Sequence, residues 1–298
     1  MAETIKVGRR RVAVTRLDRP MFPSGETKGD LVHYYADVAG PLVRHAKGRP
    51  IAMQRFPDGV GHEGFFQKKA ADYYPDWITT TTVPKKGGEL EEVVICDAPT
   101  LVYLANQAVV TPHLWLSRAD HLDRPDRLIF DFDPSGGTFA DIRRAARACG
   151  DLLREAGLEP FAMVTGSRGI HVTVPLRRSA ATGFDRVRGF AREVGEEMVA
   201  RDPRRLTLEA RKAKRGGRIL VDVMRNSYAQ TAVAPYAVRA RDHAPVAMPL
   251  RWEELEDSRL RPDRWRMKSA LERLDRDGDA WSDIRSHARS LPGQATFT

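Results

Sequence analysis

Two cysteines, Cys96 and Cys149, are all that the 298 residues hold. Both stand among apolar or small neighbours, so they read as buried free thiols, and nothing calls for an oxidising compartment. Long apolar runs are missing too. Met1 to Arg11 is polar and charged, without the apolar core of a secretory signal. No stretch approaches the roughly 20 apolar residues that cross a bilayer. A cytoplasmic, nucleoid-associated protein without a membrane partner is expected. Internal repeats and low-complexity tracts are absent, which argues against a solenoid. There is no Walker loop and no Gly-x-Gly-x-x-Gly fingerprint in the right context. Asp275-Arg276-Asp277-Gly278-Asp279 opens like a calcium loop, but Ser286 stands where the bidentate Glu belongs, so it reads as a charged loop.

What is present is charge of one sign. Lys and Arg number 49 against 40 Asp and Glu, a formal net charge of +9. That balance favours a polyanion, most naturally nucleic acid. At 42% hydrophobic the chain can build a sizeable core, and its length fits one large domain or two small ones.

Patterning predicts helices and strands mixed with hairpins, an α+β chain rather than a regular βαβ array. A short strand is expected over 6–16 and a single helix from Thr27 to Leu42. Extended segments follow at Ile51–Phe56, Phe65–Lys69 and Ile78–Val83, the last turning at Lys85-Lys86-Gly87-Gly88 into Glu92–Cys96. Pro99–Val110 reads as a helix broken at Pro112, and His113 as a loop histidine. Leu128–Asp133 is a strand, and Thr138 with Asp141 caps a helix to about Ala156. Strands at Phe161–Val164 and Ile170–Val174 flank a Gly-rich turn, followed by a helix over 184–198. Further short strands are read at 206–208, 219–223 and 231–234, and short packing helices beyond Pro249.

Asp131 and Asp133 carry the chemistry. Period-2 alternation puts both on one face of their strand and turns Phe130 and Phe132 to the other. Such a pair also occurs as a solvated strand end or helix cap. Asp222, closing the apolar strand Arg218–Asp222, supplies a third carboxylate. Three converging carboxylates repel unless a cation holds them, and oxygen donors suit Mg²⁺ or Mn²⁺. Two such ions serve both phosphoryl transfer and phosphodiester cleavage. Thr165-Gly166-Ser167-Arg168-Gly169-Ile170-His171 offers backbone N–H groups and the donors Ser167, Arg168 and His171 to an anion, or is simply a solvated hairpin turn. Lys212 to Arg218 is a basic run just ahead of Asp222, and Arg239 is a further phosphate candidate. Phe65 and Phe66 beside Lys68 and Lys69, with Lys28, Arg49 and Arg55, suit stacking and backbone neutralisation; the bland alternative buries one Phe and half-buries the other.

Together these residues resemble the polymerase domain of bacterial DNA ligase D, a branch of the archaeo-eukaryotic primase superfamily. The markers are Asp131-Phe132-Asp133-Pro134, Thr165 to His171, Val221-Asp222 with Arg225-Asn226, and Ala234-Pro235-Tyr236. Thr27-Lys28, Gly48-Arg49-Pro50, Arg55 to Gly59 and Phe65 to Lys68 add to them, over Val12 to Trp281. The resemblance implies the primase-polymerase fold, with mixed and antiparallel sheets and flanking helices. It implies one domain over 1–298, with a DNA-binding portion to about 120, a catalytic portion to about 250 and a packing tail beyond. It also implies template-dependent addition of nucleotides, ribonucleotides preferred, to primer 3′ ends, for gap filling and end processing in non-homologous end joining.

By the same resemblance Asp131, Asp133 and Asp222 bind two Mn²⁺ or Mg²⁺ ions, and Ser167, Arg168 and His171 meet the NTP or dNTP triphosphate. His113, Lys212, Arg215 and Arg239 hold sugar or phosphates. Arg19, Lys28, Arg55, Phe65, Phe66 and Lys68 meet the DNA end, gap or primer–template, and Lys85-Lys86 tips a hairpin that holds broken ends. Ku and a separate DNA ligase are the implied protein partners. Gln54 departs from the pattern where relatives carry Lys, so weaker recognition of a downstream 5′-phosphate is expected. No adenylating lysine motif and no nuclease domain occurs within these residues, and the Met1 start with the extended tail reads as a stand-alone paralogue. A two-metal nuclease and a non-catalytic end-bridging protein are the competing readings.

Overall fold

The structure, a computed structural model, describes residues 2–293 and 297. The chain forms two compact units: Met1–Asp120 with Thr231–Ala247 and Trp265–Gly278, and His121–Gln230 with Met248–Arg264 and Asp279–Thr298.

The first unit opens with a hairpin, β1 (Ala2–Val7) and β2 (Arg10–Thr15), where the sequence suggested one strand; Gly8 turns it at φ 59°. The Thr27 hydroxyl accepts from Asp30 N–H and the Asp30 carboxylate accepts from Thr27 N–H, which starts α1 (Lys28–Asp37). The expected single helix breaks at Val38 (ψ 0°) and resumes as α2 (Ala39–Ala46). Strands β3 (Arg49–Arg55), β4 (Phe65–Gln67), β5 (Thr80–Lys85) and β6 (Gly88–Ile95) follow. Next come α3 (Ala98–Asn106), capped by Asp97, and β7 (Val109–Trp115).

The helix expected to run to Val110 is shorter than that. The helix stops at Asn106, Ala108 turns the chain at φ 60°, and Pro112 lies inside β7 opposite Met53. Val109, Val110 and Thr111 are β-branched, and pairing with β3 decides their state. His113 is therefore a strand residue, not a loop histidine.

The second unit is a mixed sheet with helices on one face. It comprises β8 (Arg127–Asp133), α4 (Phe139–Glu155), β9 (Phe161–Val164), β10 (Ile170–Pro175), α5 (Phe184–Arg201), β11 (Leu206–Thr207) and β12 (Ile219–Asp222). Two short strands come later in the chain. β13 (Thr231–Val233) joins β7 in the first unit; β14 (Met248–Pro249) joins β9 in the second and was absent from the sequence reading. The first unit's sheet runs β13-β7-β3-β6-β5 with β4 on β3, and the second's runs β11-β12-β8-β10-β9-β14. All pairs are antiparallel except β11 with β12. The α+β class with antiparallel and mixed sheets is as expected.

The tail also differs in detail. Asp275-Arg276-Asp277 is not a loop but the last turn of α6 (Met267–Asp277), which ends at Gly278 with φ 72°. In the second unit a short 3-10 turn, Trp252–Glu256, seats the Trp252 ring so close on Gly150 of α4 that a Cβ there would lie 2.0 Å from it. Trp281 is buried, its Nε1 donating to Ala162 O at 3.1 Å.

α4 and α5 cover one face of β8, where Phe130 and Phe132 are fully buried. Each such burial contributes about 1.5–3 kcal/mol. The period of the strand then leaves Asp131 and Asp133 half-buried on the opposite face.

Candidate active site

Asp131 lies directly opposite His171 of β10 on one side and Asp222 of β12 on the other. One row across the second sheet therefore reads Asp222, Asp131, His171. Asn226 fixes the edge of β8 beyond the end of β12. Its side chain accepts from Ile129 N–H (2.8 Å) and donates to Ile129 O (2.7 Å), standing in for a missing strand.

Asp131 is held from two directions. Its Oδ1 lies 3.4 Å from His171 Nε2, and its Oδ2 accepts from Arg225 Nε and Nη2, both at 3.3 Å. Burial opposes its charge, but His171 and then Arg225 outweigh that and hold its carboxyl down at about 2. Asp222 goes the other way: burial raises it, with the Asp131 charge adding to the rise, against the Met224 N–H (2.8 Å) and Arg225 (3.9 Å). Arg225 thus bridges the two carboxylates. Asp133 faces Arg168 at 3.5 Å and Arg215 at 3.8 Å.

The turn between β9 and β10 is a tight hairpin. Thr165 N–H donates to Gly169 O, and Gly169 N–H to Thr165 Oγ1. A Cβ on Gly169 would fall 2.3 Å from Phe132 O, so only glycine lets the turn close on β8. That closure sets exposed Arg168 over Asp133 and leaves Ser167 half-buried in the turn. His171 is buried, and its Nδ1 meets no protein hydrogen-bond partner, a polar atom that a ligand can satisfy.

Arg215 is buried and already engaged. Its Nε donates to Glu209 O (3.0 Å), Nη2 to Ala210 O (2.8 Å) and Nη1 to Ser135 Oγ (2.9 Å). It braces the 209–215 segment against Asp133, while Lys212 is exposed on a 3-10 turn. A cleft of about 780 Å³ opens beside Asp222, floored by Leu208, Leu220 and Val223.

The remaining candidates belong to the first unit. His113 of β7 meets the Phe66 ring edge-on at 5.2 Å, and Arg239 follows the bridge that Val238 makes to Val246. Phe65 and Phe66 are 47% and 58% exposed, so neither is the core residue that the bland alternative required. Arg55 lies 5.7 Å over the Phe65 ring and donates to Gln67 Oε1 at 2.7 Å. Lys68, Lys85 and Lys86 are exposed, the last two at the β5–β6 turn. Arg19 pairs with Asp58 at 2.8 Å. Lys28 is buried with Nζ on Thr15 O at 2.6 Å; burial, then Arg16 and Arg19, bring it down to about 8.

The model of the family described as LigD, primase-polymerase domain, matches residues 27–281. The chain belongs to the LigD primase-polymerase family. It is 35% identical over 279 residues to the multifunctional non-homologous end joining DNA repair protein LigD of Mycobacterium tuberculosis, covering 90% of this chain and 36% of that protein. To the Pseudomonas aeruginosa LigD it is 33% identical over 276 residues, covering 91% of this chain and 32% of the relative. The chain thus spans about a third of these relatives. The polymerase domain of Mycobacterium tuberculosis ligase D in complex with DNA superposes with a TM-score of 0.87 at 33% identity, over 93% of this chain and 99% of that one.

Within the family's frame the carboxylates can be tested as metal donors. Their oxygen chemistry and the cross-strand pairing of Asp131 with Asp222 fit a hard divalent cation. Among the described residues, however, no three His, Cys, Asp or Glu side chains are gathered closely enough to share one. Arg225 lies between Asp131 and Asp222, whereas in the sequence it stands out only as part of the Val221-Asp222 marker with Arg225-Asn226. The one signal for it was its position three residues after Asp222, a reach that only the 3-10 turn Met224–Asn226 makes effective.

Proposed function

We propose that this chain is a template-dependent nucleotidyltransferase that adds nucleotides to primer 3′ ends at DNA gaps and broken ends, within non-homologous end joining. The observation that carries the reading is the row Asp222, Asp131, His171, with the Gly169 turn closed beside it, in a chain of this family. Asp131, Asp133 and Asp222 would hold divalent metal, Mn²⁺ or Mg²⁺. Bound there, it supplies charge neutralisation at the reacting phosphates and a more acidic attacking hydroxyl.

The chain's own groups do the rest. Arg168, Ser167 and His171 orient the triphosphate, with His171 Nδ1 offering a buried polar atom to it. Arg215 keeps the 209–215 segment and Asp133 in place. Lys212, His113 and Arg239 hold sugar or phosphates. In the first unit Phe65 and Phe66 present exposed rings to the template, and Arg55 and Lys68 neutralise its backbone. Arg19 and Lys28 would meet the downstream 5′-phosphate, Lys28 on release from Thr15 O, and Lys85-Lys86 would meet a broken end. A single primase-polymerase domain, Ku and a ligase as partners, and preference for ribonucleotides belong to the same reading.

Nucleotide incorporation on a gapped duplex, comparing NTPs with dNTPs and Mn²⁺ with Mg²⁺, tests it. Extension of the primer by template-matched nucleotides is expected. Shortening of the primer without extension would overturn the reading in favour of a nuclease.

A further inference from the structure

We propose that the first unit carries a single-strand binding stripe, running from Phe65 through Tyr73 to Trp77, on which bases of unpaired template stack after passing Phe65 and Phe66; the proposal rests on the polymerase reading. Among the described residues, the large hydrophobic side chains that this unit exposes are Phe65, Phe66 and Tyr73; Phe65 and Tyr73 belong to this stripe, while Phe66, next to Phe65 on β4, turns to the other face against His113. Exposed large apolar groups gathered in one place mark an interaction surface.

A chain of contacts joins its rings. Arg55 lies 5.7 Å over the Phe65 ring and donates from Nε to Gln107 O at 3.0 Å. The side-chain oxygen of the same Gln107 accepts from the Tyr73 hydroxyl at 3.4 Å. Tyr73 is 62% exposed and rests edge-on against Tyr74 at 5.2 Å. Tyr74 in turn meets Tyr103 at 5.3 Å, and Tyr103 meets Trp77 at 5.5 Å. Arg10 lies over the Trp77 ring at 4.5 Å. Tyr74 and Tyr103 are nearly buried, so they act as a footing that fixes the outer rings.

The chemistry selects the occupant. Rings with a guanidinium near each end suit unpaired nucleic acid, because every base has a π-face and every step a phosphate. Lys69 is tied to Asp72 at 2.9 Å, and Asp76 is an exposed carboxylate on the same loop. Phosphates are therefore drawn to the Arg10 and Arg55 side. Stacking of this kind is sequence-tolerant.

The test is anisotropy of primer–template duplexes whose 5′ template overhang is about two or about eight nucleotides long, within the range of single-strand site sizes. The wild-type protein should bind the longer overhang roughly tenfold tighter. In Tyr73→Ala that ratio should fall towards one, and in Tyr73→Phe, which keeps the ring, it should persist. Equal affinity for both overhangs, or a ratio unchanged in Tyr73→Ala, overturns the stripe while leaving extension of the short-overhang substrate as support for polymerase function. Absence of both extension and duplex binding would overturn the polymerase reading as well.

Discussion

Arg225 is the residue whose position says most about the candidate site. Two like charges on adjacent strands need a counter-ion, and the guanidinium between Asp131 and Asp222 provides one. A divalent metal held by Asp131 and Asp222 would meet that guanidinium as a competing cation. Arg225→Gln should then tighten Mn²⁺ binding by roughly tenfold, the scale of a charge-assisted hydrogen bond given up. Loss of the free-Mn²⁺ EPR signal on titration measures it directly. Arg225→Lys, which keeps the charge but not the two-nitrogen bridge, should fall between. Unchanged Mn²⁺ affinity with weakened NTP affinity would instead assign Arg225 to the nucleotide. Asp131 and Asp133 were legible in the sequence because alternation in a strand is local. Arg225 was not, because its partner Asp131 is 94 residues away.

At the scale of elements, the same distinction between local and distant causes separates what was read from what was missed. β8, α4 and the β9–β10 hairpin follow from strand alternation, the Thr138–Asp141 capping box and a Gly-rich turn, all visible within a few residues. β7 was hidden because Pro112 signals a helix stop, whereas pairing with β3 makes it a strand. β14 is two residues long and exists only through β9. The β6–β7 region yields a prediction of its own. Glu92 of β6 is buried and accepts from Trp115 Nε1 of β7 at 2.8 Å. Burial raises its carboxyl to about 7, against the pull of the Trp115 hydrogen bond and Lys68. A folded-state value above the unfolded one means that the folded protein binds the extra proton. The associated stability is fully present below the ordinary carboxyl range and is lost as pH rises through about 7. Glu92→Gln keeps an acceptor for Trp115 without the charge. It should be more stable than wild type by about 2–3 kcal/mol at pH 8, with the gap closing towards pH 5. Denaturant melts at both pH values check this; a pH-independent gap would remove the link to Glu92.

At the scale of the whole molecule, the candidate chemistry and the candidate DNA surface fall in different units. Asp131, Asp133 and Asp222 belong to the second, whereas Arg55, Phe65, Phe66 and Lys68 belong to the first. Each is built on its own sheet and core, so altering one set should leave the other folded. Asp131→Ala and Asp133→Ala should therefore abolish primer extension while DNA affinity holds or rises, since each change adds one positive charge to a net +9. Phe65→Ala with Phe66→Ala should do the reverse: weaker binding, by roughly 1–3 kcal/mol for each stacked base lost, with extension recovered at saturating DNA. Affinity at two salt concentrations completes the separation. Binding through phosphates weakens steeply with salt, about 10²-fold between about 50 and 200 mM if about four are neutralised. The aspartate variants should share that slope with wild type. If they lose extension and binding together, the carboxylates hold the fold or the DNA rather than the reaction alone; if every activity is unchanged, the non-catalytic end-bridging reading takes the place of the polymerase.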